Sequence, residues 1–121
     1  METIFIEATS TTPEVNIDAY SGIFSFSGKS YPENVNDFYT PIFELIDRYK
    51  KKPAKSTILE LNWLYYNTAT SKIIIKLIQH LKDLSPVFKV KWYCKDNFEL
   101  MIEKGEEIKE VLEIDLEIIY I

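Results

Sequence analysis

The apolar positions of this chain follow two periods, one typical of strands and one typical of helices. Short runs that are rich in β-branched and aromatic residues, or that alternate with polar residues, predict strands. Six segments carry this pattern, at residues 4–6, 15–18, 23–28, 56–64, 87–94 and 116–121. In residues 56–64 we expect the side with Leu59, Leu61 and Trp63 to face the core, because it is the more apolar side.

Three further segments repeat their apolar residues at helical spacing, and each predicts an amphipathic helix. Their apolar stripes are Phe38, Ile42, Leu45, Ile46 and Tyr49; Ile74, Leu77, Ile78, Leu81 and Leu84; and Phe98, Met101, Ile102, Ile108 and Leu112. The second stripe is the most apolar, since Ile73 and Ile75 widen it. So much apolar surface implies that this helix packs against a sheet.

Residues that cap or break helices mark the ends of these segments. Asn34 or Asn36 can cap the first helix after a turn that contains proline. Pro41 fits comfortably only near a first turn, so either Thr40 is the cap or the first turn is kinked. In the third segment, Gly105 predicts an interruption of the helix.

The order of these elements predicts an α/β fold. Strands come first, and helices then alternate with strands, which is typical of a mixed β-sheet with right-handed βαβ crossovers. The leading strands would add antiparallel pairing at one edge. A chain of 121 residues is in the range of one hydrophobic core. We therefore predict a single domain over residues 1–121, with a mixed sheet packed against about three helices.

The charge balance argues against nucleic acid as a partner. Lys and Arg total 14 against 19 Asp and Glu, so the net charge is −5. A chain of this charge offers no general attraction for a phosphate backbone. The basic run at residues 48–55 follows the first predicted helix. We interpret it as a solvated helix terminus, because cations complement the negative end of a helix dipole.

Cysteine content and hydropathy indicate a cellular compartment. A single cysteine, Cys94, cannot form an internal disulfide, which favours a reducing environment. The apolar run at the N-terminus is too short for a signal peptide, and nowhere do about 18 apolar residues occur in succession. We expect a cytoplasmic protein with no membrane insertion.

Common catalytic and metal-binding motifs are missing from the sequence. It contains no G-x-S-x-G, no H-E-x-x-H and no paired cysteines, and its three glycines form no phosphate-binding loop. His80 lies at the boundary of the second helical stripe, and Cys94 alternates with Trp92 as a buried residue would. We therefore assign no catalytic residue, metal or cofactor, and do not expect an enzyme.

One polar segment, residues 65–72, lies between a predicted strand and the most apolar helix. Functional loops of α/β folds lie at this end of the strands. Asn67 or Thr68 can serve there as an N-cap, with Thr70 or Ser71 filling the first turn. Alternatively, the positive end of the helix dipole favours an anion, so that a phosphorylated Thr68 would be well tolerated.

Three stretches of the sequence form a recognisable set: Thr11-Thr12-Pro13, Gly28-Lys29-Ser30-Tyr31-Pro32-Glu33-Asn34, and Leu64-Tyr65-Tyr66-Asn67-Thr68 with Lys72. Together they resemble the SiaC family of bacterial regulatory phosphoproteins. They occur in the family's order and with similar spacing over nearly the whole length. The resemblance implies a fold like that of STAS domains, the anti-sigma-factor antagonists.

The resemblance also implies a partner-switching function. A protein kinase would phosphorylate the threonine of the Asn-Thr turn, here Thr68, and a PP2C-type phosphatase would remove the phosphate. The unphosphorylated form would bind and activate a diguanylate cyclase. Related sequences commonly have Asn-Thr-Ser-Ser at this turn, whereas this chain has Asn67-Thr68-Ala69-Thr70-Ser71. Thr70 and Ser71 are therefore rival acceptors.

The same motifs indicate where a partner would bind. The expected partner-binding residues are Ser30, Tyr31, Pro32, Glu33, Asn34, Tyr65, Tyr66, Asn67, Thr68 and Lys72. Tyr31 would serve as an aromatic anchor. Two alternatives have other consequences: a STAS-like module would bind an anti-sigma-factor kinase, and a small-molecule carrier or small enzyme would need a deep pocket between the Tyr31 and Tyr65 loops.

Overall fold

Six strands form one sheet whose spatial order is the order of the sequence. The computed structural model describes residues 2–121. The elements are β1 (Thr3–Ile6), β2 (Glu14–Asp18), β3 (Ile23–Ser30), α1 (Val35–Tyr49), β4 (Ser56–Tyr66), α2 (Thr68–Leu81), β5 (Val87–Cys94), α3 (Glu99–Leu112) and β6 (Leu116–Tyr120). The predicted fold class, an α/β domain with a mixed sheet and three helices, is confirmed.

The pairing of the strands places all three helices on one face of the sheet. β1, β2 and β3 pair antiparallel, whereas β3, β4, β5 and β6 pair parallel. From β3 to β6, each strand is added next to the previous one on the same side of the growing sheet. Right-handed crossovers therefore place the three connecting helices on the same face of the sheet. Tyr49 of α1 packs edge to face on Phe24, and Trp92 of β5 donates from Nε1 to the carbonyl of Met101 in α3.

The hydrophobic core lies between this face and the helices. It is built from alternate residues of the central strands, and the predicted inward side of β4, with Leu59, Leu61 and Trp63, is fully buried. The opposite face of the sheet is polar in its centre, where the Ser25 hydroxyl donates to Glu60 Oε1 at 2.6 Å. Apolar residues thus alternate with polar ones because only one face is covered.

The start of α1 has the Asn34 cap that the sequence allowed, and it excludes Thr40 as the cap. Asn34 is the N-cap, and its Oδ1 accepts a hydrogen bond from the Asp37 N–H at 3.1 Å. Pro41 lies inside the helix, beyond the first turn, so Thr40 is not the cap. Proline removes the N–H that would bond to the carbonyl of Asp37. The helix accommodates this loss because Pro41 and Asp37 are exposed to solvent.

The predicted interruption of α3 at Gly105 is wrong, since the helix runs without a break from Glu99 to Leu112. Gly105 is buried against the indole of Trp92. A Cβ at this position would lie 2.8 Å from Trp92 Cδ1, well inside van der Waals contact. The glycine therefore serves the close approach of α3 to β5.

Three other element ends, those of α2, β3 and β4, differ from the sequence pattern. α2 ends at Leu81, so Leu84 lies beyond the helix, although it still packs against the core. β3 and β4 extend to Ser30 and Tyr66, further than the alternation of their residues predicts. The reason is that the two extensions pair with each other, with Ser30 opposite Tyr66.

Replacing Gly105 by alanine tests the close packing of α3. Overpacking a core costs about 1–3 kcal/mol, whereas the better helix propensity of alanine returns only about 1 kcal/mol. We expect Gly105→Ala to lower the free energy of unfolding by about 1 kcal/mol in urea denaturation. The exposed neighbour Glu106→Ala should change it by less than about 0.5 kcal/mol. A stabilised Gly105→Ala variant would contradict this packing.

Candidate functional site

Three loops meet at the end of the sheet where the parallel strands terminate, and they contain the three stretches that carry the family motifs. The Tyr31 N–H donates to the carbonyl of Thr11 at 2.8 Å. The Asn67 N–H donates to the carbonyl of Ser30 at 3.1 Å. Main-chain hydrogen bonds therefore join the first residue after β3 to the loop before β2, and the last residue of β3 to the N-cap of α2.

A β-bulge determines which residues of β4 reach the surface. Gly28 pairs with Trp63 and Lys29 pairs with Tyr65, so Leu64 is an extra residue in β4. Trp63 and Tyr66 are both buried, whereas Leu64 and Tyr65 are 57% and 51% exposed. Strict alternation would have placed Tyr65 inside and Tyr66 outside. The bulge thus delivers two adjacent apolar side chains to solvent.

We call Tyr31, Leu64 and Tyr65 the aromatic patch. The rings of Tyr31 and Tyr65 meet edge to face with their centroids 5.6 Å apart, and Tyr31 remains 38% exposed. Exposed aromatic side chains of this kind are the usual anchors of protein interfaces. The two rings touch each other at the place where the small-molecule alternative would need a deep pocket.

The first turn of α2 presents Thr68 at the surface. Asn67 is the N-cap, and its Oδ1 accepts from the Thr70 N–H at 2.9 Å. Thr68 is the first residue of the helix, and its side chain is exposed. Of the two residues that could have been the cap, Asn67 takes that position. The Thr68 hydroxyl therefore lies near the positive end of the helix dipole without serving as its cap.

The two rival acceptors lie in more protected positions. Thr70 is 0% exposed, and its hydroxyl donates to the carbonyl of Ser30 at 2.9 Å. Ser71 is half-buried. A kinase needs an accessible hydroxyl, so the geometry favours Thr68 over both.

The expected partner-binding residues divide into an exposed group and a supporting group. The exposed side chains are those of Tyr31, Glu33, Asn34, Tyr65, Thr68 and Lys72, and those of Pro32 and Asn67 are half-buried. Ser30 and Tyr66 are buried. Tyr66 packs edge to face on Trp63 and Trp92, and the Lys104 ammonium lies 4.7 Å from the centre of its ring. Burial, assisted by Glu107, raises the pKa of Tyr66 to about 12.

Sequence reasoning missed two contributors to this site. Leu64 lies on the outward side that alternation predicts, but the bulge that places Tyr65 beside it at the surface leaves no periodic signal. Tyr39 of α1 reaches the end of β3, where its hydroxyl lies 2.7 Å from Ser30 Oγ. Helical spacing indicates that a residue at position 39 lies near the core side of α1, but it gives no sign of this hydrogen bond.

The other residues with possible chemical roles, Cys94 and His80, show no sign of a catalytic site. Cys94 is buried, and burial raises the pKa of its thiol, which disfavours a reactive thiolate. Partial burial and the neighbouring Lys50 and Lys76 lower the pKa of His80, whose Nδ1 lies 3.1 Å from Lys50 Nζ.

Residues 2–121 contain no cluster of side chains arranged to hold a metal ion. Within the same residues, no helix has both the length and the apolar character needed to cross a bilayer.

The fold and this site define a small α/β domain that exposes a hydroxyl-bearing helix start beside an apolar surface. Residues 6–121 match the model of the SiaC family, described as SiaC family regulatory phosphoprotein. The chain therefore belongs to the SiaC family.

Known proteins of similar sequence and structure come from Pseudomonas aeruginosa. An uncharacterized protein of strain UCBPP-PA14 is 27% identical over 114 residues, which are 91% of this chain and 90% of that protein. A structure of SiaC aligns over 100% of both chains with a TM-score of 0.88 at 23% identity. Apo-SiaC aligns over 98% of both chains with a TM-score of 0.86 at 24% identity.

A third similar structure contains a complex. It is described as the diguanylate cyclase SiaD in complex with its activator SiaC from Pseudomonas aeruginosa. The matched chain covers 95% of this chain and 97% of its own length, with a TM-score of 0.82 at 24% identity. At these identities the likeness establishes the shared fold.

Removing the N-cap tests the geometry of the α2 start. We expect Asn67→Ala to lower the free energy of unfolding by about 1 kcal/mol, because the Thr70 N–H loses its partner. Asn67→Asp keeps an acceptor at the same place and should unfold at a urea concentration close to that of the wild type. Equal stabilities of the alanine and aspartate variants would mean that the cap does not stabilise the helix.

Proposed function

We propose that this chain is a phosphorylation-controlled binding protein. A protein kinase phosphorylates Thr68, a PP2C-type phosphatase removes the phosphate, and the unphosphorylated form binds and activates a diguanylate cyclase. The observation that carries the proposal is the position of Thr68, exposed at the first residue of α2 beside the aromatic patch. Membership of a family of regulatory phosphoproteins supports it.

The surroundings of Thr68 favour a phosphate electrostatically. The first turn of α2 contains no acidic residue. Its N–H groups and the positive end of the helix dipole attract an anion. Lys72 lies one turn further along the helix and is exposed, and residues four apart share a helix face. The modified side chain is therefore accommodated without a change of fold.

The same modification would change the adjoining surface. A phosphate adds about −1.5 to −2 charges and a bulky tetrahedral group. Tyr65 lies three positions before Thr68 in the chain, and Tyr31 contacts Tyr65. A partner that buries the aromatic patch would have to desolvate the phosphate as well, which is unfavourable. Phosphorylation therefore releases the partner.

A diguanylate cyclase is the partner that the comparisons support best. A structurally similar SiaC chain occurs in a complex with the cyclase SiaD, which it activates. The function of this chain is then to bind, and the partner enzyme makes and breaks the bonds. Pull-down with the unphosphorylated protein tests this choice. Capture of an anti-sigma-factor kinase instead of a cyclase would favour the STAS-like alternative.

The acceptor residue can be mapped directly. After incubation with the cognate kinase and ATP, we expect intact-mass spectrometry to show one added phosphate and peptide mapping to place it on Thr68. Thr68→Ala should remain unmodified. Ser71→Ala is the matched control and should be modified normally, because its hydroxyl is not the acceptor. Phosphate on Thr70 or Ser71 of the Thr68→Ala variant would contradict the assignment.

A phosphomimetic variant separates switching from folding. Thr68→Asp should melt at or above the temperature of the wild type, since a carboxylate is favourable at a helix N-terminus. It should nevertheless bind the diguanylate cyclase of the same genome at least about tenfold more weakly, because a charge is then buried in the interface. The measurements are thermal unfolding and titration calorimetry.

The matched control places the same charge elsewhere. Thr40→Asp changes an exposed threonine of α1 and should leave the cyclase affinity unchanged. Unfolding of Thr68→Asp would mean that Thr68 is mainly a structural residue. Undiminished binding by a folded Thr68→Asp would mean that charge at Thr68 does not control the partner.

A further inference from the structure

A chain of three buried hydroxyl groups links α1, the end of β3 and the first turn of α2. Ser30 Oγ lies 2.7 Å from the Tyr39 hydroxyl and 2.8 Å from Thr70 Oγ1. Thr70 Oγ1 donates to the carbonyl of Ser30 at 2.9 Å. Ser30 and Thr70 are fully buried, and Tyr39 is nearly so.

The direction of each hydrogen bond follows from the chemistry of the groups. The Ser30 carbonyl can only accept, so the single Thr70 hydroxyl proton is used there. Ser30 Oγ must then donate to Thr70 Oγ1, and Tyr39 must donate to Ser30 Oγ. Burial raises the pKa of Tyr39 to about 12, which keeps this donor protonated at neutral pH. Each of the three protons has one acceptor.

We propose that Thr70 is a positioning residue that holds the two halves of the aromatic patch together. Its hydroxyl fastens the first turn of α2 to Ser30, the residue before Tyr31. This inference rests on the proposed function where it concerns partner binding. Thr70 itself meets no partner, because its side chain is fully buried.

The location of the link explains why it acts on the patch. Tyr31 is the first residue after β3, and Tyr65 is the last but one residue of β4, where it pairs with Lys29. The contact between the two rings therefore depends on how the turn after Ser30 is held against the end of β4 and the start of α2. Besides the β3–β4 strand pairing, the Asn67 N–H donates to the same Ser30 carbonyl. Without the Thr70 hydroxyl, the Ser30 hydroxyl also loses its acceptor. The loop after β3 then moves more freely relative to α2.

A second hydroxyl cluster provides a matched control at the opposite end of β4. Thr57 is fully buried, and its Oγ1 lies 2.8 Å from the Tyr49 hydroxyl and 2.6 Å from Ser85 Oγ. The residue types are those of the first cluster, namely a threonine, a tyrosine and a serine. Loss of this threonine hydroxyl should therefore disturb the core to a similar degree without touching the patch.

Three variants distinguish positioning from general stability. Thr70→Val removes the hydroxyl and keeps the branched shape, Thr70→Ser keeps the hydroxyl, and Thr57→Val is the control. NMR on the free protein measures the nuclear Overhauser contact between the Tyr31 and Tyr65 rings and the exchange rate of the Asn67 amide. Urea denaturation measures the stability of each variant.

We expect Thr70→Val to lose the Tyr31 to Tyr65 contact and to exchange the Asn67 amide about tenfold faster, as loss of one buried hydrogen bond predicts. Thr70→Ser and Thr57→Val should keep the contact and the slow exchange. In titrations with the diguanylate cyclase of the same genome, only Thr70→Val should bind about tenfold more weakly.

The two kinds of measurement keep this inference separate from the proposed function. If the wild type does not bind the cyclase, the proposed function fails and the NMR result still decides the role of Thr70. An unchanged ring contact in Thr70→Val, or an equal loss in Thr57→Val, would overturn the inference. If Thr70→Val does not fold, Thr70→Ala removes the same hydroxyl and carries the same expectations.

Discussion

The parallel pairing of β3 with β4 around the extra residue Leu64 is the constraint on which the candidate site depends. It aligns Ser30 with Tyr66, so that both strands end at the same level of the sheet. The bulge then turns Tyr65 outward and Tyr66 into the core. Because α2 begins two residues after Tyr66, the same pairing fixes where Thr68 emerges. A shift of one residue would exchange the buried and exposed side chains.

Fold stability and the proposed regulation involve neighbouring but different groups in this molecule. The Asn67 side chain caps α2, and the hydroxyls of Ser30, Thr70 and Tyr39 are bonded to one another inside the protein. Thr68 is left at the surface, where a change of charge is compatible with the fold. This separation is what a switch requires, since modification should alter a surface without unfolding the domain that presents it.

Much of the fold was predictable because only one face of each strand and helix is buried, and this one-sided burial produces the regular spacing of apolar residues that the sequence shows. All six strands and three helices occur where the alternation and the helical stripes predicted them, and the inward side of β4 was correct. The wrong predictions concern residues whose role depends on their surroundings in the folded protein. Gly105 was expected to interrupt α3, but its function is to admit the Trp92 indole, a residue of another element. Pro41 is tolerated in α1 because it is exposed, which spacing alone does not reveal.

The sequence by itself determined the α/β architecture, the family and two candidate caps for α2, Asn67 and Thr68, because these depend on residue order and on motifs close together in the chain. The structure then identified Asn67 as the cap. Thr68 as the acceptor stays a prediction from those motifs. Only the tertiary structure decided that Thr70 is buried while Thr68 is exposed, that Leu64 joins Tyr31 and Tyr65 at the surface, and that Tyr39 reaches Ser30. These facts depend on a bulge and on contacts between distant segments, and neither leaves a periodic signal in the sequence.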